Sequence, residues 1–199
     1  EAGFMVVGLE KDEGKREKLE RGEVLYEGLD SGRLRELISE GRFKVTGELK
    51  DIYPCHVICV CVPTPLSRTR EPDLRFVREA SEQIAVALEG GECPKLVILE
   101  STTYPGTTRE VVLPKLQLLE AGACEEFHLA YSPERVDPGN VTWTIENTPK
   151  LIGGVNPCCS ELAQAFYSSF VEDTVAVSSP EVAEMAKLLE NTFRMINIG

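Results

Sequence analysis

His56-Val57-Ile58-Cys59-Val60-Cys61-Val62-Pro63-Thr64-Pro65 is a continuous apolar run that stops abruptly at two prolines bracketing a threonine. A run this short, apolar on both of its faces, predicts a strand covered from both sides, as in a parallel sheet. The stretches around it alternate in the same way. Downstream, 71–88 carries a helical pattern with Pro72 near its start and Gly90-Gly91 beyond its end. Strand 95–99, helix 107–119, strands 127–131 and 150–152, helix 158–170, strand 174–177 and a helix from Pro180 follow. Upstream, 4–9 reads as a strand, with 13–21 and 33–40 as charged helices. Strands alternating with helices predict an α/β fold: a mostly parallel sheet with helices on both faces.

With 42% hydrophobic and 27% charged residues, the 199-residue chain has the composition of a globular protein able to build one full core. Its net charge of −12 repels polyanions at long range, so no nucleic-acid partner and no anionic membrane surface is expected. The apolar runs are too short to span a bilayer, and the N-terminus shows no basic-then-apolar leader. A cytoplasmic protein is the expectation. The seven cysteines include no C-x-x-C pair and only two histidines accompany them, so no metal site is predicted and most of the thiols read as small core hydrophobes.

Ligands of open α/β sheets bind at the carboxyl ends of the strands, which makes three loops candidates. Val60, Cys61, Val62, Pro63 and Thr64 end one strand; Ser101, Thr102 and Thr103, in Glu100-Ser-Thr-Thr-Tyr-Pro-Gly106, end the next. Both offer backbone amides and hydroxyls, although simple turns use the same residues. The third, Tyr131-Ser-Pro-Glu-Arg-Val-Asp-Pro-Gly-Asn140, presents Glu134, Arg135, Val136 and Asp137 between Pro133 and Pro138, which restrict the loop to few conformations. In the last helix, Lys187 and Asn191 stand four apart and share a face opposite Val182, Met185, Leu189, Phe193 and Ile196. A cation and an amide there suit a developing alkoxide; a solvated polar face is the plain alternative. At the other end, Gly3 to Glu10 has the form of a second Rossmann strand ending in an acid, where Glu10 would meet ribose hydroxyls and favour NAD over NADP. No first strand and glycine-rich turn precede it.

Together the segments ESTTYPGTT (100–108), YSPERVDPGN (131–140) and EMAKLLENTF (184–193), with CVPTP (61–65) and TREPDL (69–74), resemble the nucleotide-sugar 6-dehydrogenases, the family of UDP-glucose, UDP-N-acetylglucosamine and UDP-N-acetylmannosamine dehydrogenases. The loop at 132–140 is most similar to the UDP-N-acetylglucosamine branch. The resemblance implies a Rossmann-like NAD-binding domain over 1–178, lacking its first strand and phosphate loop, and the opening of a central dimerising helix over 179–199. It implies NAD contacts from Glu10, Lys15, Val60 to Thr64, Ser101 to Thr103 and Pro138. It assigns catalysis to Thr102, Glu134, Lys187 and Asn191, and contacts with a UDP-sugar to Glu134 through Pro138, Lys187 and Asn191.

The implied reaction oxidises a primary alcohol to a carboxylate with two NAD, through an aldehyde and a cysteine-bound thioester, in a homodimer. None of the cysteines present matches that nucleophile, which the family carries in a glycine-rich segment beyond the central helix; this chain alone is therefore expected to be inactive. Two other readings stand beside this one. A β-hydroxyacid or 6-phosphogluconate type dehydrogenase also sets Lys and Asn four apart, and a non-catalytic nucleotide-binding remnant would fit the missing phosphate loop.

Overall fold

The computed structural model of the chain describes residues 2–25, 29–67, 71–90, 95–117, 127–135 and 144–198. They fall into two compact units, one running up to Cys55 and the other from His56 onward.

In the first unit, β1 (Val6–Leu9) leads through α1 (Glu13–Glu20) and α2 (Ser31–Ser39) to β2 (Phe43–Thr46), and a 3-10 turn follows at Leu49–Ile52. β1 and β2 run parallel, Val6 opposite Phe43 and Leu9 opposite Thr46; parallel neighbours need a crossover, here the two helices. An aspartate starts each helix. Asp12 accepts from Lys15 N at 2.9 Å and Asp30 from Gly32 N at 2.7 Å, satisfying amides that lack a partner within the helix. Neither helix buries a residue fully. β2 adds to the strands read from the sequence: its four residues hold a single buried apolar side chain, Val45, too little to form a visible run.

The second unit contains β3 (Val57–Val60), α3 (Arg75–Glu89), β4 (Lys95–Leu99), a π turn at Thr108–Val112 continuing into α4 (Leu113–Leu116), β5 (Phe127–Tyr131), β6 (Lys150–Gly154), α5 (Pro157–Tyr167), β7 (Thr174–Ala176) and α6 (Pro180–Ile198). The sheet order is β3-β4-β5-β6-β7. β3, β4 and β5 are parallel, β6 is antiparallel to β5, and β7 is parallel to β6. Successive residues of β4 face opposite sides. Val97 and Leu99 join Val77 and Ile84 of α3, Leu116 of α4 and Ala183 of α6, whereas Leu96 and Ile98 join Ala163 and Tyr167 of α5. Helices therefore cover both faces, as the uninterrupted apolar runs predict.

Of the differences from the sequence reading, two have identifiable reasons. α3 starts at Arg75, later than Pro72 suggests, because the segment before it is paired: Ser67 N donates to Glu71 O and Asp73 N to Pro65 O, both at 2.8 Å. Cys59 and Cys61 are exposed, not core. β3 is an edge strand of this sheet, and α5 packs over β4 to β7. Cys159 is buried as expected, and Cys158 is disulfide-bonded, which the reading of the cysteines as small hydrophobes did not include.

Candidate functional site

The carboxyl edge of β3, β4 and β5 is pinned by side-chain hydroxyls, two of which, on Thr64 and Ser101, the sequence suggested for ligand binding. Ser101 Oγ donates to Val62 O at 2.8 Å, and Thr64 Oγ1 donates to Thr102 O at 2.7 Å, so the ends of β3 and β4 are sewn together. Ser132 Oγ likewise donates to Leu151 O at 2.8 Å, tying the end of β5 to β6. Val60 is buried, Val62, Thr64 and Thr102 are half-buried, and Cys61 and Pro63 are exposed. Thr103 is buried, and among the described residues neither its Oγ1 nor the Tyr131 hydroxyl makes a hydrogen bond of regular geometry, although the Thr103 hydroxyl is close enough to oppose the rise of the Tyr131 phenol. Burial pushes the Tyr131 phenol up, with the Glu184 carboxylate adding to the effect, so it remains a protonated donor.

From this edge the chain is bolted to α6. Gly106, with φ of 104°, takes a left-handed backbone that points its N–H at Glu184 Oε2, 2.5 Å away. Thr108 N and Thr108 Oγ1 donate to Glu184 Oε1 at 2.8 and 2.6 Å. Glu184 is fully buried, and its carboxyl is held above its ordinary value, chiefly by burial, while the hydrogen bonds from Thr108 and Gly106 oppose that rise. One turn on, Lys187 Nζ donates to the Glu134 carbonyl at 2.6 Å. Burial lowers the Lys187 ammonium from its ordinary value, with Glu190 and Glu134 pulling the other way. Asn191, another turn along, is half-buried and accepts from Arg194 at 3.4 Å.

The loop after β5 is gripped from several sides. Arg135 Nε reaches Glu190 Oε2 at 3.1 Å and Arg135 Nη1 donates to Pro149 O at 3.1 Å. Glu134 Oε1 accepts from Arg135 N at 2.7 Å, and Glu134 Oε2 lies 3.0 Å from Lys150 Nζ. A cavity of about 210 Å³ opens beside these groups, lined by Glu100, Glu134, Lys150, Phe166, Tyr167 and Phe170 among others. The structure thus joins Glu134 directly to Lys187. Among the described residues, no hydrogen bond links Thr102 to Glu134, Lys187 or Asn191. Val136, Asp137 and Pro138 lie outside the described residues. In the first unit, Glu10 Oε1 accepts from Asp12 N at 3.0 Å and Glu10 Oε2 is 3.9 Å from Lys15 Nζ, so acid and lysine are neighbours at the end of β1.

The model of the UDP-glucose/GDP-mannose dehydrogenase family's NAD-binding domain matches residues 1–171. The chain belongs to this family. It is 36% identical over 202 residues to UDP-N-acetyl-D-mannosamine dehydrogenase of Pyrococcus horikoshii, an alignment covering 100% of this chain and 47% of that protein. It is 37% identical over 196 residues to UDP-N-acetyl-D-glucosamine 6-dehydrogenase of Pseudomonas aeruginosa, covering 98% of this chain and 45% of that one. The solved structure of UDP-D-ManNAc dehydrogenase from P. horikoshii matches with a TM-score of 0.89 at 35% identity, over 99% of this chain and 46% of its own. The chain spans about half the length of these relatives.

This dehydrogenase domain is Rossmann-like, and the family's cofactor is NAD. Within the first unit, an acid follows β1, the kind of group a dinucleotide fold places beside the ribose; within the second, the ends of β3 and β4 are pinned by side-chain hydrogen bonds. For metals, His128, Cys158 and Cys159 lie within 4.8 Å of one another, but the disulfide occupies Cys158 and leaves an incomplete set. Although Cys59 and Cys61 are exposed as residues, the protein around their sulfurs desolvates them: the Cys59 thiol is pushed up to about 12 by that desolvation and then by the Glu100 carboxylate, and Cys61 rises for the same reasons. Neither is a thiolate nucleophile at neutral pH.

Sequence reasoning missed Glu184 and Lys150. Glu184 carried a usable signal, since it lies three residues before Lys187 and so shares its face. Lys150 carried a weaker one, a lone charge opening the apolar strand Lys-Leu-Ile-Gly-Gly.

Proposed function

We propose that a protein joining this chain to the C-terminal half its relatives carry oxidises the C6 alcohol of a UDP-sugar of the N-acetylhexosamine class to a carboxylate, with NAD as cofactor. The observation that carries the reading is the junction of Lys187 with Glu134, at 2.6 Å, beside the carboxyl edge of a dinucleotide-binding sheet. When bound, NAD supplies the hydride acceptor. Lys187, an ammonium whose burial makes it readier to exchange its proton, neutralises the alkoxide as hydride departs, and Asn191, on the same helix face, holds that oxygen or an ordering water. The Glu134 carboxylate, 46% exposed, is open enough to position or deprotonate the attacking water, with Thr102 assisting. Arg135, Val136, Asp137 and Pro138 complete the substrate side. The NAD contacts in this proposal are assigned to Glu10, Lys15, Val60 to Thr64, Ser101 to Thr103 and Pro138.

The proposal includes a homodimer formed through the outward side of α6, a cytoplasmic location, and no nucleic-acid partner, in keeping with a net charge of −12. Stoichiometry tests the reaction. Two NADH formed per UDP-N-acetylglucosamine or UDP-N-acetylmannosamine consumed is the expected result; one per substrate would assign a simple alcohol dehydrogenase instead. Lys187→Met in the same protein should lower kcat by about 10²- to 10³-fold.

A further inference from the structure

Four polar groups form a continuous line under the Glu134 loop. The Tyr167 hydroxyl donates to Glu100 Oε1, Lys150 Nζ lies 3.5 Å from that same oxygen, and Lys150 Nζ donates to Glu134 Oε2 at 3.0 Å. The Lys150 side chain is only 9% exposed and its ammonium sits 5.0 Å from the centre of the Tyr167 ring, a cation–π position. We propose that Lys150 is a positioning residue for Glu134: it fixes the rotamer of that carboxylate and keeps it ionised for its work on water. The role rests on the proposed oxidation, and nothing in the sequence resemblance assigned it.

Among the described residues, the other cations beside Glu134 direct their charge elsewhere. Arg135 directs its guanidinium to Glu190 and Pro149, and Lys187 meets the Glu134 backbone carbonyl rather than its carboxylate. Tyr167 supplies Glu100 with a donor of its own, and burial, with the Glu100 charge, keeps that phenol protonated. Glu100 is thereby partly satisfied, and the ammonium sits closer to Glu134. Two carboxylates around one cation would repel each other without it, and a charge this sheltered is screened little by salt. A buried ion pair is a poor stabiliser when a hydrophobic residue of similar size fits in its place. Removing the ammonium alone leaves Glu100 and Glu134 without their shared cation and costs stability whatever its role, so the readout that separates positioning from scaffolding is the titration of Glu134 itself.

Carboxyl-carbon NMR of Glu134 in the 199-residue chain tests the proposal without any turnover. In Lys150→Met the Glu134 titration midpoint should rise by about half a pH unit or more, and Lys150→Arg should restore it. An unchanged midpoint overturns the proposal. If the methionine variant does not fold, Glu100→Gln gives the converse reading: with its competitor neutral, Lys150 acts on Glu134 alone and the midpoint falls, whereas a fixed midpoint again overturns the idea. In the protein with its C-terminal half, Lys150→Met should lower kcat about tenfold or more, leave both KM values within about twofold, and move the acidic limb of the pH profile upward, with arginine rescuing all three. Unchanged kcat and limb count against the role. Should the unsubstituted protein fail to oxidise UDP-sugars, the reaction assignment falls, and the NMR titration still decides whether Lys150 governs Glu134.

Discussion

Glu184 shows how one carboxylate organises the candidate site at the scale of a residue. Its partners lie 76 and 78 positions away in sequence, yet two amides and a hydroxyl converge on it within 2.5 to 2.8 Å. Because Lys187 and Asn191 ride on the same helix, this contact sets their height relative to the loop that carries Thr102. Charge-assisted hydrogen bonds of this kind contribute about 1.5–3 kcal/mol each, offset by the desolvation of the carboxylate. Glu184→Gln turns one acceptor oxygen into a donor facing N–H groups, and we expect it to cost about 2–3 kcal/mol in urea unfolding near neutral pH. Its pH dependence has a definite sign. Burial raises the folded-state value above the unfolded one, so the native state binds the extra proton, and the stability this group lends is greatest in acid and declines as pH rises through the folded value. The penalty of Glu184→Gln should accordingly be larger at pH 5 than at pH 8; a penalty that grows with pH would show that the hydrogen bonds outweigh burial.

At the scale of elements, β6 is the hub on which two helices seat without spare room. A Cβ on Gly153 would lie 2.3 Å from Ser179 O, just ahead of α6, and one on Gly154 would lie 2.3 Å from Ser160 N in α5. Both obstacles are backbone, which cannot swing aside like a side-chain tip. Gly153→Ala should therefore cost about 1–3 kcal/mol, read as a lowered urea midpoint at unchanged slope, and displace the start of α6. Such packing is invisible in a linear pattern, where Gly-Gly reads simply as the end of a strand. The elements legible in the sequence were those whose own residues declare burial: every residue of β4 is buried, and beyond Lys95 the apolar run Leu96 to Leu99 says so. β2 has too few buried positions to declare itself, and α3 starts late because Glu71 and Asp73 bond to a segment that composition cannot pair with them. The site divides along the same line. Its loops and the Lys187/Asn191 spacing are local patterns and were readable; the hydroxyl struts, Lys150 and Glu184 depend on distant partners and were not.

At the scale of the whole molecule, burial is unevenly shared. The second unit holds both apolar clusters, whereas α1 and α2 of the first bury no residue fully. Native-state hydrogen exchange should find the amides of β4 and β5 protected up to the global unfolding limit and those of β1 and β2 released by smaller openings; equal protection in the two would contradict this. The same imbalance bears on assembly. α6 turns Ala183, Glu184 and Lys187 toward its own unit and leaves Met185, Leu189, Phe193 and Ile196 outside, with Leu189 68% and Phe193 67% exposed. Four large apolar side chains along one helix side form a stripe of the width that a second, similar helix covers, and an isologous pair buries both stripes at once. A pair of helices joined this way also brings two copies of Lys187 under the control of one interface, so the site's geometry would depend on association. The double substitution Leu189→Glu/Phe193→Glu places like charges opposite one another across such an interface while touching no group that faces the sheet. Sedimentation velocity should show the unsubstituted protein as a dimer and the double variant as a monomer with unchanged far-ultraviolet circular dichroism. A dimer that persists with both glutamates in place would move the interface to another surface.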